Sequence, residues 1–342
     1  MDKLDIAILR EMSQAQAMLP ARVGLQSSYR DMSKKIGSSA GTIRNRVAKM
    51  YSAGLLSGSS VYVNPAVLGM KGGAYALDVS PEMQKTDTIV QLKTVENILF
   101  IHNFRGSQVG ILFVYEDENG LEDVINRVRS ICGAKAGILS HVDYPPCSIS
   151  LNDREWRLIF LLSEDGFHSY SQISKKLKVS VRTVIRRLQI LRSEGVILSA
   201  PELNYRAIRG GVATDVIVVF ANPGSKEQTE RKIMPLLNDY LIFMGVGKEY
   251  TVYNLILPSI AIATELSDAI SKLEGVAIVR AELVDEHIDV TNNLLGFVRR
   301  RMSSRNIPSN RTEKTEKTSE ESLSASPLAL NSRERLSKKH TV

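Results

Sequence analysis

The strongest constraint on this chain is that it contains one stretch twice. Ser28 to Leu56 aligns with Ser169 to Ile197 at a constant shift of 141 residues, without a gap. The repeated features are Ser-Tyr, Ser-Lys-Lys, a Ser before the second helix, a Thr and an Arg within it, and a closing Ser-x-Gly. Self-similarity at a fixed period signals an internal duplication, so a fold assigned to one copy is also required of the other.

Each copy reads as two helices joined by a tight turn. In the second copy, Ser180 is an N-cap, and Val181, Val184, Ile185, Leu188 and Leu191 recur at three- and four-residue spacing, the pattern of one buried stripe. The opposite face carries Arg182, Thr183, Arg186, Arg187, Gln189 and Arg192, donors suited to phosphates and base edges if the helix enters a major groove. Glu194-Gly195 ends the helix and Val196-Ile197-Leu198 begins an extended segment, as in the wing of a winged helix-turn-helix. In the first copy, Ala40, Ile43, Val47 and Met50 form the apolar stripe, leaving Thr42, Arg44, Asn45, Arg46 and Lys49 as the reading set. Gly41 stands where the second copy has Arg182, and Asn45 where it has Arg186. That removes two charges and adds a helix cost of about 1 kcal/mol, so the first copy is expected to be the weaker reader.

The repeat extends beyond these modules. Strands over 74–80, 98–105, 109–115 and 137–144, with helices near 81–93 and 121–131, give the order β-α-β-β-α-β. The second half repeats that order from Asp215 to Val290, and Tyr144-Pro145-Pro146-Cys147 marks the boundary between halves. The expected class is α+β: winged helix-turn-helix units at 1–65 and 151–206, ferredoxin-like units at 72–145 and 212–290, and a basic, mostly disordered tail at 291–342. Phe297 to Arg301 is a candidate extension of the last element, able to touch phosphate.

Charge is segregated. The net +7 comprises +5 over 28–60, +7 over 169–209 and +6 over 291–342, leaving about −11 elsewhere, the pattern of a polyanion binder whose other surfaces do something else. No apolar run is long enough to span a bilayer and the first residues lack signal-peptide zoning, so a cytoplasmic location is expected. Cys132 and Cys147 form no CxxC pair and have no histidine at metal spacing, which argues against a zinc site or a disulfide framework.

Winged helix followed by β-α-β-β-α-β resembles the Lrp/AsnC (leucine-responsive/asparagine-responsive) transcription regulators. The segments carrying the resemblance are SYRDMSKKIGSSAGTIRNRVAKMYSAGLL and SQISKKLKVSVRTVIRRLQILRSEGVI for the reader, and NFRGSQVGILFVYED and MGVGKEYTVYNLIL for the second hairpin. The resemblance covers about residues 1–290. It implies binding of double-stranded DNA, self-association through the ferredoxin-like domains, and an amino acid or similar effector near Gly106, Gly110, Gly245 and Gly247. Glycines beside a hairpin are otherwise simply turn glycines. Two copies in one chain, where the typical family member has one, imply a pseudo-dimer with unequal readers.

No phosphate-cradling glycine loop, metal-spaced His/Cys set or nucleophile with a base is present, so no cofactor, metal or enzymatic role is expected. His141 and His287, each followed two residues later by Asp, are read as equivalent positions on the last strand of each half. Packing outweighs acid-base work as their explanation. A sirohaem-decarboxylase group resembles the same two-domain fold, and a non-specific chromosome-coating protein would use the same helices. These are the two alternatives.

Overall fold

The computed structural model describes residues 1–14, 25–142, 144–147, 149–164 and 169–305. The first winged helix comprises α1 (Lys3–Gln14), α2 (Leu25–Ile36), α3 (Ala40–Ser52) and the wing strand β1 (Leu56–Val63). The first ferredoxin-like unit follows: β2 (Lys71–Asp78), α4 (Lys85–Leu92), β3 (Ile98–Phe104), β4 (Gln108–Tyr115), α5 (Glu118–Cys132) and β5 (Gly137–Val142). The second winged helix is α6 (Asp153–Glu164), α7 (Tyr170–Leu177), α8 (Val181–Ser193) and β6 (Ile197–Leu203). Its ferredoxin-like partner is β7 (Val212–Phe220), α9 (Lys226–Leu237), β8 (Leu241–Val246), β9 (Tyr250–Leu257), α10 (Ile260–Ser271) and β10 (Val276–Asp289), and α11 (Leu294–Arg305) closes the described chain.

The expected α+β order is therefore present in both halves, and local chemistry accounts for the helix starts. Ser39 and Ser180 each accept a hydrogen bond from the backbone N–H three residues on, while Ser169 and Gln172 form a reciprocal capping box. Ile43, Val47 and Met50 in α3, and Val184, Leu188 and Leu191 in α8, are buried as the spacing predicts. Val181 departs from the expected stripe. At the first position of α8 it lies beyond the packed turns and is 40% exposed.

Each ferredoxin-like sheet has its first strand between its third and fourth, and the two merge into one eight-stranded sheet ordered β5-β2-β4-β3-β10-β7-β9-β8. The 14-residue β10 makes the join: Val276 to Leu283 pairs with β7, and Val284 to Asp289 pairs with β3, with a register shift between Val284 and Glu286. An antiparallel bridge between Val142 and Gly247 links the other two edges.

The halves interlock. β1 and β6 pair antiparallel from Leu56↔Leu203 to Val63↔Ile197. Buried Asn64, just past β1, donates to the carbonyls of Pro145 (2.9 Å) and Gly195 (2.8 Å). The first winged helix shares its core with Ala213, Ile242 and Ile256 of the second sheet, and Arg10 donates to the Leu241 carbonyl at 2.7 Å. The second winged helix packs with Leu99, Phe100 and Val114 of the first sheet and with α11. Each reader thus rests on the sheet of the other half.

Past β10 the chain continues as α11, which includes the Phe297 to Arg301 stretch read as an extension of the last element; Leu294 and Val298 are buried in the core of the second winged helix. Arg300 pairs with Glu96 at 2.7 Å, and the Arg299 guanidinium lies 5.1 Å from the Phe160 ring centroid. Phe297 and Met302 of the same helix pack against that core as well. Residues 306–342 lie outside the described residues.

Candidate nucleic-acid interface

The α8 surface separates residues that the linear pattern had grouped. Ser180, Arg182, Arg186 and Gln189 are exposed and Thr183 is half-buried. Arg182, Arg186 and Gln189 follow one another at four- and three-residue spacing and therefore share one face. The Ser180 hydroxyl accepts from the Thr183 N–H at 3.1 Å, so the cap that starts the helix also fixes the threonine beside it.

Arg187 has an internal partner. Its Nη1 lies 2.9 Å from Oε1 of Glu155, whose side chain is 5% exposed, and Oε2 of the same carboxylate accepts the Asn152 N–H that opens α6. The pair borders a cleft of about 410 Å³ lined by Asn152, Leu158, Leu177, Val179, Thr183 and Arg187. Arg192 is half-buried beside Tyr170, and that burial lowers its pKa from the ordinary guanidinium value.

The first copy repeats the division. Thr42, Arg44, Asn45 and Lys49 are exposed on α3, whereas Arg46 pairs with Asp2 at 2.7 Å and Asp5 at 3.1 Å. Arg46 and Arg187 are matched positions, and Asp5 sits on α1 where Glu155 sits on α6. In both copies this arginine ties the first helix to the third. A helix's own periodicity cannot reveal an ion pair to another helix, which is why both were grouped with the readers.

The four effector-candidate glycines divide between two hairpins. Gly106 has φ +92° in the β3–β4 turn, and its carbonyl accepts from Lys85 Nζ at 2.8 Å. Lys226 Nζ does the same for the Gly247 carbonyl at 2.5 Å. A Cβ on Gly110 would lie 2.9 Å from the Phe104 ring, and one on Gly247 would lie 2.5 Å from the Ser140 hydroxyl. Turn geometry or packing therefore accounts for three of the four, and Gly245 has only ordinary contacts.

The equivalence assigned to His141 and His287 does not hold. Gly73 pairs with His141, and the position matching Gly73, Thr214, pairs with Leu283. His287 lies four residues further along β10, past the β7 pairing, and faces His102 on β3. It belongs to a polar cluster at the junction of the sheets that the sequence did not disclose. His102 Nδ1 lies 2.7 Å from Asp215 Oδ2, Asn254 donates to Asp215 Oδ1 at 2.6 Å, and the Tyr205 hydroxyl donates to Asn254 at 3.1 Å. The His287 ring stacks on Phe100 (centroids 5.1 Å) and meets His102 edge-on at 4.7 Å. Its buried Nδ1 has no hydrogen-bond partner among the described residues, and burial, with His102 as the second cause, holds its pKa well below the usual histidine value. The available signal was Asp215, a lone carboxylate inside the apolar strand VATDVIVVF. His141 is exposed, with Nδ1 2.6 Å from the Tyr115 hydroxyl.

No described helix is long and apolar enough to cross a membrane, and no group of three or more metal-ligating side chains occurs among the described residues.

Comparison with known proteins places the second copy. Residues 151–197 match the family described as winged helix-turn-helix DNA-binding. The chain is 27% identical over 107 residues to the HTH-type transcriptional regulator Ptr1 of Methanocaldococcus jannaschii, a match covering 31% of this chain and 66%, just under two thirds, of that protein. The siroheme decarboxylase NirDL, solved in co-complex with an iron-uroporphyrin III analogue, has a similar fold: TM-score 0.50 at 14% identity, over 88% of this chain and 99% of that one. The structure of E. coli AsnC matches 44% of this chain and 97% of its own at 21% identity, with a TM-score of 0.29.

Proposed function

We propose that this chain is an Lrp/AsnC-like transcription regulator that binds double-stranded DNA through α8 and, more weakly, through α3. The observation that carries the reading is the face of α8. Arg182, Arg186 and Gln189 are exposed together on a capped helix of a winged helix-turn-helix, while the neighbouring Arg187 is held by Glu155. A helix so presented sets its charges against phosphates and its amide against a base edge. The like order of elements in both halves supports an internal duplication, so that one chain offers two readers with different faces. An asymmetric operator suits such a molecule better than a palindrome. Hydroxyl-radical footprinting on the chain's own upstream DNA is expected to show two protected tracts of unequal strength. Arg182→Ala with Arg186→Ala should erase the stronger one, and the absence of any protection would defeat the proposal.

Modulation by an amino acid at the hairpin glycines, and self-association of the ferredoxin-like units, extend the same proposal. Isothermal titration with amino acids and light scattering test them. The fold shared with the siroheme decarboxylase over both halves favours a second reading, binding of a tetrapyrrole. A Soret-band shift on titrating iron-uroporphyrin III would support it, and an unchanged spectrum would dismiss it.

A further inference from the structure

The turn between α7 and α8 holds the one non-glycine residue with positive φ among the described residues, Lys178, at φ 53° and ψ 48°. It ends α7, its N–H donating to the Lys175 carbonyl at 3.3 Å. A glycine makes this turn without the clash that a Cβ brings to left-handed backbone. The first copy has that glycine at the matched position: Gly37, at φ +75°. Lys178 gains nothing internal in exchange, since its side chain is exposed and forms no ion pair among the described residues. It stands two residues before the Ser180 cap and four before Arg182, at the end of α8 whose first turn meets the groove in a docked helix-turn-helix. A flexible point charge flanking a groove-bound helix reaches backbone phosphate rather than a base edge.

We infer that Lys178 is a DNA-phosphate contact retained despite its strained backbone, and that it adds to the greater strength of the second reader. The inference rests on the proposal that α8 reads DNA. It also explains why matched turns carry different residues, since a reader that contributes little affinity keeps the relaxed glycine. The first copy has room for the reverse change, because a Cβ on Gly37 meets nothing within 4 Å.

The test uses the full chain with Lys178→Gly, Lys178→Asn or Gly37→Lys, titrated by fluorescence anisotropy against upstream duplex and scrambled duplex at several salt concentrations. Asparagine tolerates the left-handed turn without the charge, so it separates charge from backbone. Both Lys178 variants are expected to bind both duplexes about fivefold more weakly at ~0.15 M salt, with a salt slope shallower by about 0.9. Lys178→Gly should also melt about 2 °C higher than the unaltered chain. Gly37→Lys should tighten binding and steepen the slope. Unchanged affinity and slope in the Lys178 variants, while the unaltered chain binds, would overturn the inference and leave the α8 reading intact. A loss confined to the upstream duplex would also overturn it, marking a base contact. Failure of the unaltered chain to bind either duplex would overturn the α8 reading itself.

Discussion

Arg186 and Arg187 are adjacent in sequence, and single substitutions should separate their effects completely. Arg187→Ala removes the partner of a carboxylate whose side chain is 5% exposed, while among the described residues Glu155 keeps only its bond from the Asn152 N–H. Breaking a fully buried pair costs about 3–5 kcal/mol. Because the Arg187 side chain is itself 40% exposed, water screens part of the interaction and we place the loss at about 2 kcal/mol. In a chain of this size that lowers the melting temperature by about 3 °C. Glu155→Gln on the same background should recover part of the loss by removing the stranded charge. Arg186→Ala removes an exposed side chain, so its stability change should stay within about 0.5 kcal/mol. Its DNA affinity should fall about tenfold, with a salt slope shallower by about 0.9 if the lost contact is a phosphate. Calorimetry and anisotropy on both variants decide the matter. Normal stability with lost DNA binding in Arg187→Ala, or an unfolded Arg186→Ala, would refute this division of labour.

Three further outcomes follow from the same reasoning. Gly41→Arg with Asn45→Arg gives α3 the charges of α8, and a Cβ at Gly41 meets only the Ser39 hydroxyl at 3.7 Å, so binding should tighten and steepen with salt while stability rises slightly. Asp215→Ala leaves His102 and Asn254 without their acceptor in a buried site and should cost about 3 kcal/mol in urea unfolding, whereas a change below about 1 kcal/mol would show that the junction cluster is not structural. The His287 pKa is depressed in the folded chain, so its contribution is present at and above the unfolded value of about 6.5 and is lost as pH falls below it; His287→Phe should reduce the difference between urea titrations at pH 7.5 and pH 5.5.

The legible part of this molecule was what repeats or alternates. The N-cap serines at 39 and 180 and the order of strands and helices along the chain are both present in the structure. Long-range geometry was not legible. The β1–β6 pairing, the seating of each winged helix on the opposite sheet and the docking of α11 depend on surfaces that meet only after both halves fold. In the site, exposure follows the periodicity of α8 at Arg182, Arg186 and Gln189 but not at Val181, Thr183, Arg187 and Arg192, and Arg187 is paired with a glutamate 32 residues earlier. The apparent match of His141 and His287 came from a shared His-x-Asp spelling, but strand register assigns equivalence and puts Leu283 opposite Thr214.

The most direct test of the central claim is an anisotropy titration of the full chain with duplex from its own upstream region and with scrambled duplex, from low salt up to about 0.15 M. A reader that uses Gln189, Thr183 and Asn45 on base edges should keep a preference for the upstream duplex at the highest salt, where the phosphate contribution has faded. Equal, salt-steep binding of both duplexes would contradict sequence reading and make the chain a DNA coater. No binding at all would contradict the assignment of α8 as a reader.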